Sequence, residues 1–461
     1  MKQNRTTRQP EILLEVDRTS GAGPMRQQIE NALREAVQTG RLLAGNSVPS
    51  TRTLARDLGV SRGVVTEAYE QLIAEGYLVT LCSVRTTVAA FAHAKPVRVK
   101  QPPATRYQYD FRPGVPDLLH FPVEPWIRSM RRALRRLRAV NLDYGDPLGT
   151  AELRVALADY LARVRGVVAS PESILISTGF AQGLGLVARS LIRHGIAHVA
   201  VEDPSHPEMR RILLDAGLNI VGVPVDEHGV RVDLLTRTGA RAVLLTPAHQ
   251  FPTGCVLSAP RRRELLVWTS RADAYVIEDD YDAEYRYDRN PIGALHGLEP
   301  ERVIYAGSAS KILAPALRLG WIVAPQSLAK TLQEVKRAAD LGSPVLDQLV
   351  YADFLCSGEL DRHLRRMRLI YQDRRDALLA SLKRHCPAWK PQGAAAGLHL
   401  VAQLPPGLGE RNVVRKAHRQ SVRLYSLRSY AIERHRPAAI VLGYGGLSER
   451  EIAAAISRLG G

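Results

Sequence analysis

From about residue 170 onward the chain alternates short β-branched runs with stretches of helical period, and no other feature constrains its fold as much. The runs are Ser173-Ile174-Leu175-Ile176-Ser177, Ala197-His198-Val199-Ala200-Val201, Ile220-Val221-Gly222-Val223, Ala242-Val243-Leu244-Leu245, Tyr275-Val276-Ile277 and Val303-Ile304-Tyr305. Such alternation predicts an α/β domain with a largely parallel sheet buried on both faces. Ligands of open α/β sheets lie beyond the carboxyl ends of the strands. Polar clusters recur at those ends: Ser177 to Gln182, Asp203 to Pro207, Thr246 to Gly254, Glu278 to Tyr281, and Gly307 to Lys311.

The last cluster, Gly307-Ser308-Ala309-Ser310-Lys311, is followed seven residues later by Arg318. Small residues let the backbone turn close around an anion. The serine hydroxyls and Arg318 can hold that anion while the Lys311 amine meets a carbonyl carbon. A pyridoxal phosphate (PLP) site needs this arrangement. Read alone, the segment fits a surface loop with a solvated lysine equally well, so the other clusters decide. Gly179, Phe180 and Ala181 open a helix whose free amides form a phosphate site. A carboxylate such as Asp279 keeps a pyridine nitrogen protonated. Tyr281 can hydrogen-bond a phenolic oxygen, and His206 can lie against a flat ring. Each cluster alone reads as an ordinary polar loop after a strand; five in this order point to PLP.

The first eighty residues read differently. Met25, Ile29, Leu33 and Ala36 fall at helical spacing up to Gly40. Ser50 is placed to cap a second helix, Thr51 to Leu58, and after Gly59-Val60-Ser61 a third runs from Arg62 to about Ala74. Val65, Ala68, Tyr69, Leu72 and Ile73 form its apolar stripe. Small Ala55, turn Gly59 and aliphatic Val65 have helix-turn-helix spacing. Ser61, Arg62, Gly63 and Thr66, with Ser50 and Arg52 beside them, are then the residues offered to double-stranded DNA. A helical hairpin without a DNA role is the competing reading. The formal charge of +17 and pI near 10.0 favour a polyanionic partner.

Residues 89–108 lack a period and contain Pro96, Pro102 and Pro103 among basic residues, which predicts a semi-rigid linker. Beyond it, Arg128, Arg131, Arg132, Arg135, Arg136 and Arg138 leave Ile127, Met130, Leu134 and Leu137 as a narrow apolar stripe. That helix presents either a solvated face or a phosphate-contacting one. The four scattered cysteines offer neither a disulfide framework nor a metal site. No signal peptide and no bilayer-length apolar run is visible, so the expected location is the cytoplasm.

The segments Val48 to Ala55, Leu58 to Arg62, Ala68-Tyr69 and Glu75 to Leu78 resemble the winged helix-turn-helix of GntR transcription regulators. Tyr144 to Gly149, Thr246 to Gly254, Glu278 to Asp282, Gly307 to Lys311, Leu317 to Trp321, Gly397-Leu398-His399 and Leu442-Gly443-Tyr444 resemble fold type I aminotransferases. The chain as a whole is similar to the MocR subfamily of GntR regulators, from about residue 25 to 460. The resemblance implies a winged helix-turn-helix at 11–88, the linker, and an aminotransferase-like PLP domain at 109–461 with a smaller C-terminal α+β subdomain. It implies Lys311 as the lysine of the PLP aldimine, Asp279 at the ring nitrogen, Tyr281 at the ring oxygen and His206 in the stacking position. Gly179, Ala181, Ser308 and Arg318 would hold the phosphate, with Tyr144 supplied by a partner subunit of a head-to-tail homodimer.

Four departures bear on function. Val64 stands where the GntR family commonly has threonine, and the wing tip, Leu81 to Arg85, lacks glycine, leaving Arg85 as its one candidate DNA contact. Phe251 replaces the aminotransferase asparagine before Pro-Thr-Gly. The C-terminal strand Ala439 to Tyr444 is apolar where aminotransferases carry a carboxylate-binding arginine; Arg434 and Arg436 lie near but do not align. Without a bidentate clamp, amino acids are poorly oriented. The expectation is a PLP-dependent regulator that senses PLP, an amino acid or an amine, controlling vitamin B6 or amino-acid metabolism, with at most a residual transaminase half-reaction. The alternatives are an active aminotransferase carrying a DNA-binding domain, and a DNA-binding protein whose fold has lost PLP.

Overall fold

The computed structural model describes residues 16–17, 23–81, 85–90, 107–288, 292–393, 395–433 and 437–460. It divides into two compact units, Met1–Ala104 and Thr105–Gly461.

In the first unit three helices, α1 (Met25–Gln38), α2 (Thr51–Leu58) and α3 (Arg62–Ala74), precede an antiparallel hairpin of β1 (Leu78–Leu81) and β2 (Arg85–Val88). Ser50 caps α2 by accepting from Thr53 N at 3.1 Å, and Ser61 caps α3 by accepting from Val64 N at 3.4 Å. Gly59 ends α2 with φ +60°, a conformation that favours glycine. Ile29, Leu33, Leu54, Ala55, Val65, Ala68, Tyr69, Leu72 and Leu78 form the core. The expected stripe on α3 needs one correction: Ile73 is exposed, because the buried face closes on Leu72.

The second unit is built on an eight-stranded sheet of β3 (Ile174–Ser177), β4 (His198–Asp203), β5 (Asn219–Asp226), β6 (Gly229–Val230), β7 (Ala242–Leu245), β8 (Tyr275–Asp280), β9 (Val303–Ser308) and β10 (Gly320–Val323). Its order is β3-β10-β9-β8-β7-β4-β5-β6. The pairs from β9 through β5 are parallel; β10 runs antiparallel to both neighbours, and β6 folds back on β5. All six expected runs are strands of this sheet, and separate apolar clusters cover its faces. A four-stranded antiparallel sheet follows, built from β11 (Lys390–Gln392), β12 (His399–Gln403), β13 (Tyr425–Ser426) and β14 (Ala439–Gly443). The architecture is the α/β fold with a smaller C-terminal α+β part that the sequence led us to expect.

The arginine-rich helix α4 (Val123–Arg136) buries Trp126, Ser129 and Ala133, not the expected stripe. Met130 and Leu134 are exposed. Small Ser129 and Ala133 let α4 pack closely on the helix Val345–Cys356, and Arg132 forks onto Asp353 at 2.6 and 2.9 Å. Arg128 pairs with Glu359 at 3.0 Å. Two of the six arginines thus serve packing. No helix among the described residues is long and apolar enough to cross a membrane.

Candidate functional site

The carboxyl ends of β3, β4, β7, β8 and β9 converge on one cavity of about 250 Å³. Its walls include Gly114, Ala181, Glu202, His206, Thr246, Phe251, Asp279, Tyr281, Ser308, Ser310, Lys311 and Arg318. Five clusters far apart in sequence therefore face one small-molecule space.

Strand alternation sorts the acidic run on β8. Glu278 and Asp280 point to one face and Asp279 to the other, into the cavity. Glu278 accepts from Leu295 N at 2.8 Å and His296 N at 3.0 Å. Asp280 takes Arg165 at 2.7 and 3.1 Å and the Tyr305 hydroxyl at 2.7 Å. Asp279 has no hydrogen-bond partner among the described residues. Burial, together with the neighbouring charge of Asp280, raises its pKa well above the carboxylate range, while Lys311 opposes that shift.

Lys311 sits in the short helix Ala309–Ile312 directly after β9. Burial lowers its pKa, and Asp279 and Asp282 work the other way. Gly114 comes so close that a Cβ there would lie 3.4 Å from Nζ. Gly307 has a role other than the expected anion turn: its missing side chain makes room for Trp321, whose Nε1 would lie 2.5 Å from a Cβ. Ser308 is buried and its hydroxyl has no partner among the described residues.

Gly179 caps the helix Phe180–Arg193 at φ +97°. A Cβ there would lie 2.9 Å from Nη2 of Arg318. Arg318, itself left-handed at φ +49°, donates from Nη2 to Thr178 O at 2.6 Å. A guanidinium is thus fixed over the free amides of a helix N-terminus, with Ala181 beside it, which suits a phosphate dianion.

His206 caps the helix Pro207–Asp215, and its ring lies 5.3 Å from that of Phe251 at 34°. The Tyr281 hydroxyl donates to His249 O at 3.0 Å. Tyr144 is not in the cavity wall: it is 79% exposed in a crevice formed with Val140, Leu142, Leu341 and Leu346.

Sequence reasoning missed Glu202. Buried at the end of β4, it accepts from Thr246 N at 3.0 Å and Thr246 Oγ1 at 2.7 Å, and burial raises its pKa to about 7. The acidic pair Glu202-Asp203 before Pro204 was the available signal, since the strand register sends one member toward the cavity. Arg210 was also missed; it lines the cavity and donates to Ser205 O and Tyr430 O. The β14 strand is buried on both faces, with Ala439 and Val441 in one apolar cluster and Ile440 and Leu442 in another. Arg434 and Arg436 lie outside the described residues.

In the first unit Arg52, Ser61, Arg62 and Gly63 are exposed around the α2–α3 turn, as is Ser50. Arg62 Nε reaches Thr51 Oγ1 at 3.4 Å, and Thr66 Oγ1 donates to Arg62 O at 2.9 Å. Arg85 donates to Ser47 Oγ, which ties the wing base to the loop before α2. The wing tip at 82–84 and most of the linker, 91–106, lie outside the described residues.

These residues fit PLP. The cavity pairs an amine with a carboxylate that has no partner among the described residues, and only glycine at 179 leaves the Arg318 guanidinium its place beside the helix N-terminus.

Residues 109–459 match the aminotransferase class I and II family, and residues 25–88 match the bacterial regulatory proteins of the gntR family. The chain is 33% identical to the probable rhizopine catabolism regulatory protein MocR of Rhizobium meliloti, over 97% of this chain and 95% of that protein. It is 35% identical to the HTH-type pyridoxine biosynthesis transcriptional regulator PdxR of Corynebacterium glutamicum, over 81% and 82%. Among solved structures, an archaeal alanine:glyoxylate aminotransferase matches with a TM-score of 0.71 at 28% identity, over 77% of this chain and 90% of that one.

Proposed function

The chain belongs to the gntR family of bacterial regulatory proteins, in its MocR-type form with an aminotransferase class I and II domain, and on that premise we propose that it is a PLP-dependent transcription regulator whose ligand is read at Lys311. The observation that carries this reading is the convergence of Lys311, Asp279 and the Gly179–Arg318 seat on one cavity, in a chain that also carries a helix-turn-helix.

PLP supplies an aldehyde that condenses with amines and a ring that withdraws electrons. The protein's residues do the rest. Arg318, Ser308 and the amides at Gly179 and Ala181 bind the phosphate. Asp279 takes a proton-bearing ring nitrogen, and that interaction returns it to the charged form that burial opposes. Tyr281 holds the phenolic oxygen, and His206 covers one ring face. The burial that lowers the Lys311 pKa raises its share of free amine at neutral pH.

In the first unit Arg52, Ser61, Arg62, Gly63 and Thr66 read the major groove, and Ser50 holds α2 in place for them. Two such units, supplied by a head-to-tail homodimer, bind double-stranded DNA. Tyr144, exposed on its own protomer, completes the partner's phosphate site. An amine or amino acid that competes with Lys311, or PLP itself, regulates by favouring one arrangement of the dimer over another, which requires differential affinity and no turnover. The apolar β14 strand and the pyridoxine biosynthesis regulator among the relatives favour PLP as the ligand sensed, which makes vitamin B6 supply the controlled process. Such a regulator works in the cytoplasm.

The test is operator binding in a fluorescence anisotropy assay, with PLP and a panel of amino acids added separately. PLP alone is expected to change affinity, and Lys311→Ala to remove the change. A shift produced by an amino acid and not by PLP overturns the B6 assignment. Steady turnover of an amino acid with 2-oxoglutarate makes the chain an aminotransferase instead.

A further inference from the structure

Behind the cavity lies a polar cluster with no role in the reading above. His249, Asp282 and His399 are almost fully buried, and one donor atom from each lies within 4.8 Å of the others. His249 Nδ1 stands 3.0 and 3.2 Å from the two Asp282 oxygens. A carboxylate accepts only, so the His249 proton is on Nδ1. His399 Nε2 faces Pro252 O at 3.1 Å and donates to it, and its ring lies 4.9 Å from that of His249.

The cluster is held from the other side by Gly397, at φ +69°. A Cβ there would collide with His249 Cε1. Its carbonyl accepts from the hydroxyls of Tyr287 at 2.5 Å and Tyr444 at 2.7 Å. His249 therefore has one available position, and Tyr281 is attached to it twice. The Tyr281 hydroxyl donates to His249 O at 3.0 Å and lies 3.1 Å from Nδ1. Phe251, which packs edge-on against Tyr281 at 6.2 Å, offers no polar atom to the same part of the cavity.

We propose that His249, locked by Asp282, is a positioning residue that aims the Tyr281 hydroxyl at the cavity. The inference rests on the reading of the cavity as a PLP site. When the phenolic oxygen of PLP is present, the hydroxyl turns from His249 O to that oxygen, and the Nδ1–H shared with Asp282 remains beside the tyrosine oxygen and strengthens it as a donor. The other ionisable groups packed around Tyr281 are Asp279 and Asp282 from its own segment, Glu202, Tyr444 and, across the cavity, Lys311 and His206. None of these is within hydrogen-bonding distance of its hydroxyl.

The readout is the pH midpoint of the visible absorbance of the PLP-loaded full-length protein. A hydroxyl donating to the phenolate favours loss of the proton shared between that oxygen and the Lys311 nitrogen. Losing the donor raises the midpoint, by about one pH unit for one hydrogen bond to a charged oxygen. Tyr281→Phe and His249→Ala are expected to raise it similarly, and the double variant to go no further, because the two act through one hydroxyl. His249→Asn, whose amide reaches the Nδ1 position, should stay nearer the wild type than His249→Gln, whose amide does not. That pair decides the matter if the alanine variant fails to fold. A wild-type midpoint in His249→Ala, additive shifts in the double variant, or equal shifts for Asn and Gln overturn the role of His249. If the wild type forms no visible band with PLP, the cofactor reading itself falls and this inference with it.

Discussion

The guanidinium of Arg318 occupies the space that any side chain at Gly179 would need: a Cβ at 179 would lie 2.9 Å from one guanidinium nitrogen and 3.1 Å from the other. The two residues are 139 positions apart and come together because β3 and β10 are neighbours in the sheet. Gly179→Ala therefore strains a backbone at φ +97° and displaces Arg318 together. Loss of one charge-assisted hydrogen bond to phosphate weakens PLP binding by roughly ten- to a hundredfold. Titrating PLP into the variant and following visible absorbance measures this, and the wild-type far-UV circular dichroism should be retained.

Arg165 and Asp280 form an ion pair whose side chains are 0% and 1% exposed. Asp280→Asn removes the charge that compensates Arg165 and leaves the guanidinium buried beside a neutral amide. We expect a loss of about 3–5 kcal/mol in the stability of the large domain. Urea unfolding followed by tryptophan fluorescence checks this, and a loss below about 1 kcal/mol would show that water reaches the pair. Because Asp280 faces away from the cavity while Asp279 faces into it, Asp279→Asn should behave in the opposite way. It should keep stability and lose affinity for PLP.

The first unit offers a prediction in salt dependence. Arg62 is exposed at the N-terminus of α3, where a recognition helix contacts DNA. Arg62→Ala should cost about 1–3 kcal/mol of operator affinity. If Arg62 contacts a base, the loss is confined to the cognate sequence; if it contacts phosphate, the slope of log K against log salt falls by about one. Ser61→Ala removes the α3 cap, and thermal melting should report a destabilisation of about 1 kcal/mol.

How much of this was legible depended on how local each signal is. Capping serines, Gly59 and the apolar runs act within a few residues, so α2, α3 and the six sheet strands read directly from the sequence. The polar clusters also read directly, because a strand end followed by a turn is local, and the parallel sheet then brings such ends together. The buried face of α4 did not. Its arginines suggested a stripe of Met130 and Leu134, but the partner helix selected the small Ser129 and Ala133, which no single-helix period reveals. Gly307 was read for its turn, whereas its constraint is the Trp321 ring on the neighbouring antiparallel strand. His249, Asp282 and His399 span 150 residues and meet only through the packing of the small sheet against the large one.

Glu202 gives a prediction in pH. It is buried, and burial raises its folded pKa to about 7, above the ordinary 4.5. A carboxyl with a raised folded pKa is held protonated by the fold, while the unfolded chain releases the proton near its ordinary value. Its contribution to stability is thus fully present below about pH 4.5, declines as pH rises, and is gone above about pH 7. The shift corresponds to roughly 3 kcal/mol over that interval. Glu202→Gln has nothing to ionise, and its carbonyl can accept both bonds from Thr246, which go to a single oxygen, Oε2, in the native side chain. In the PLP-free protein the variant should match the wild type near pH 4.5 and exceed its stability progressively up to pH 7.5. Urea unfolding at a series of pH values gives the difference curve directly. Glu278 and Glu284, whose pKa values are likewise raised to about 7, contribute equally to both proteins and cancel in it. A difference that stays flat from pH 4.5 to 7.5 would mean that Glu202 is already ionised in the folded chain, with its charge solvated from the cavity side.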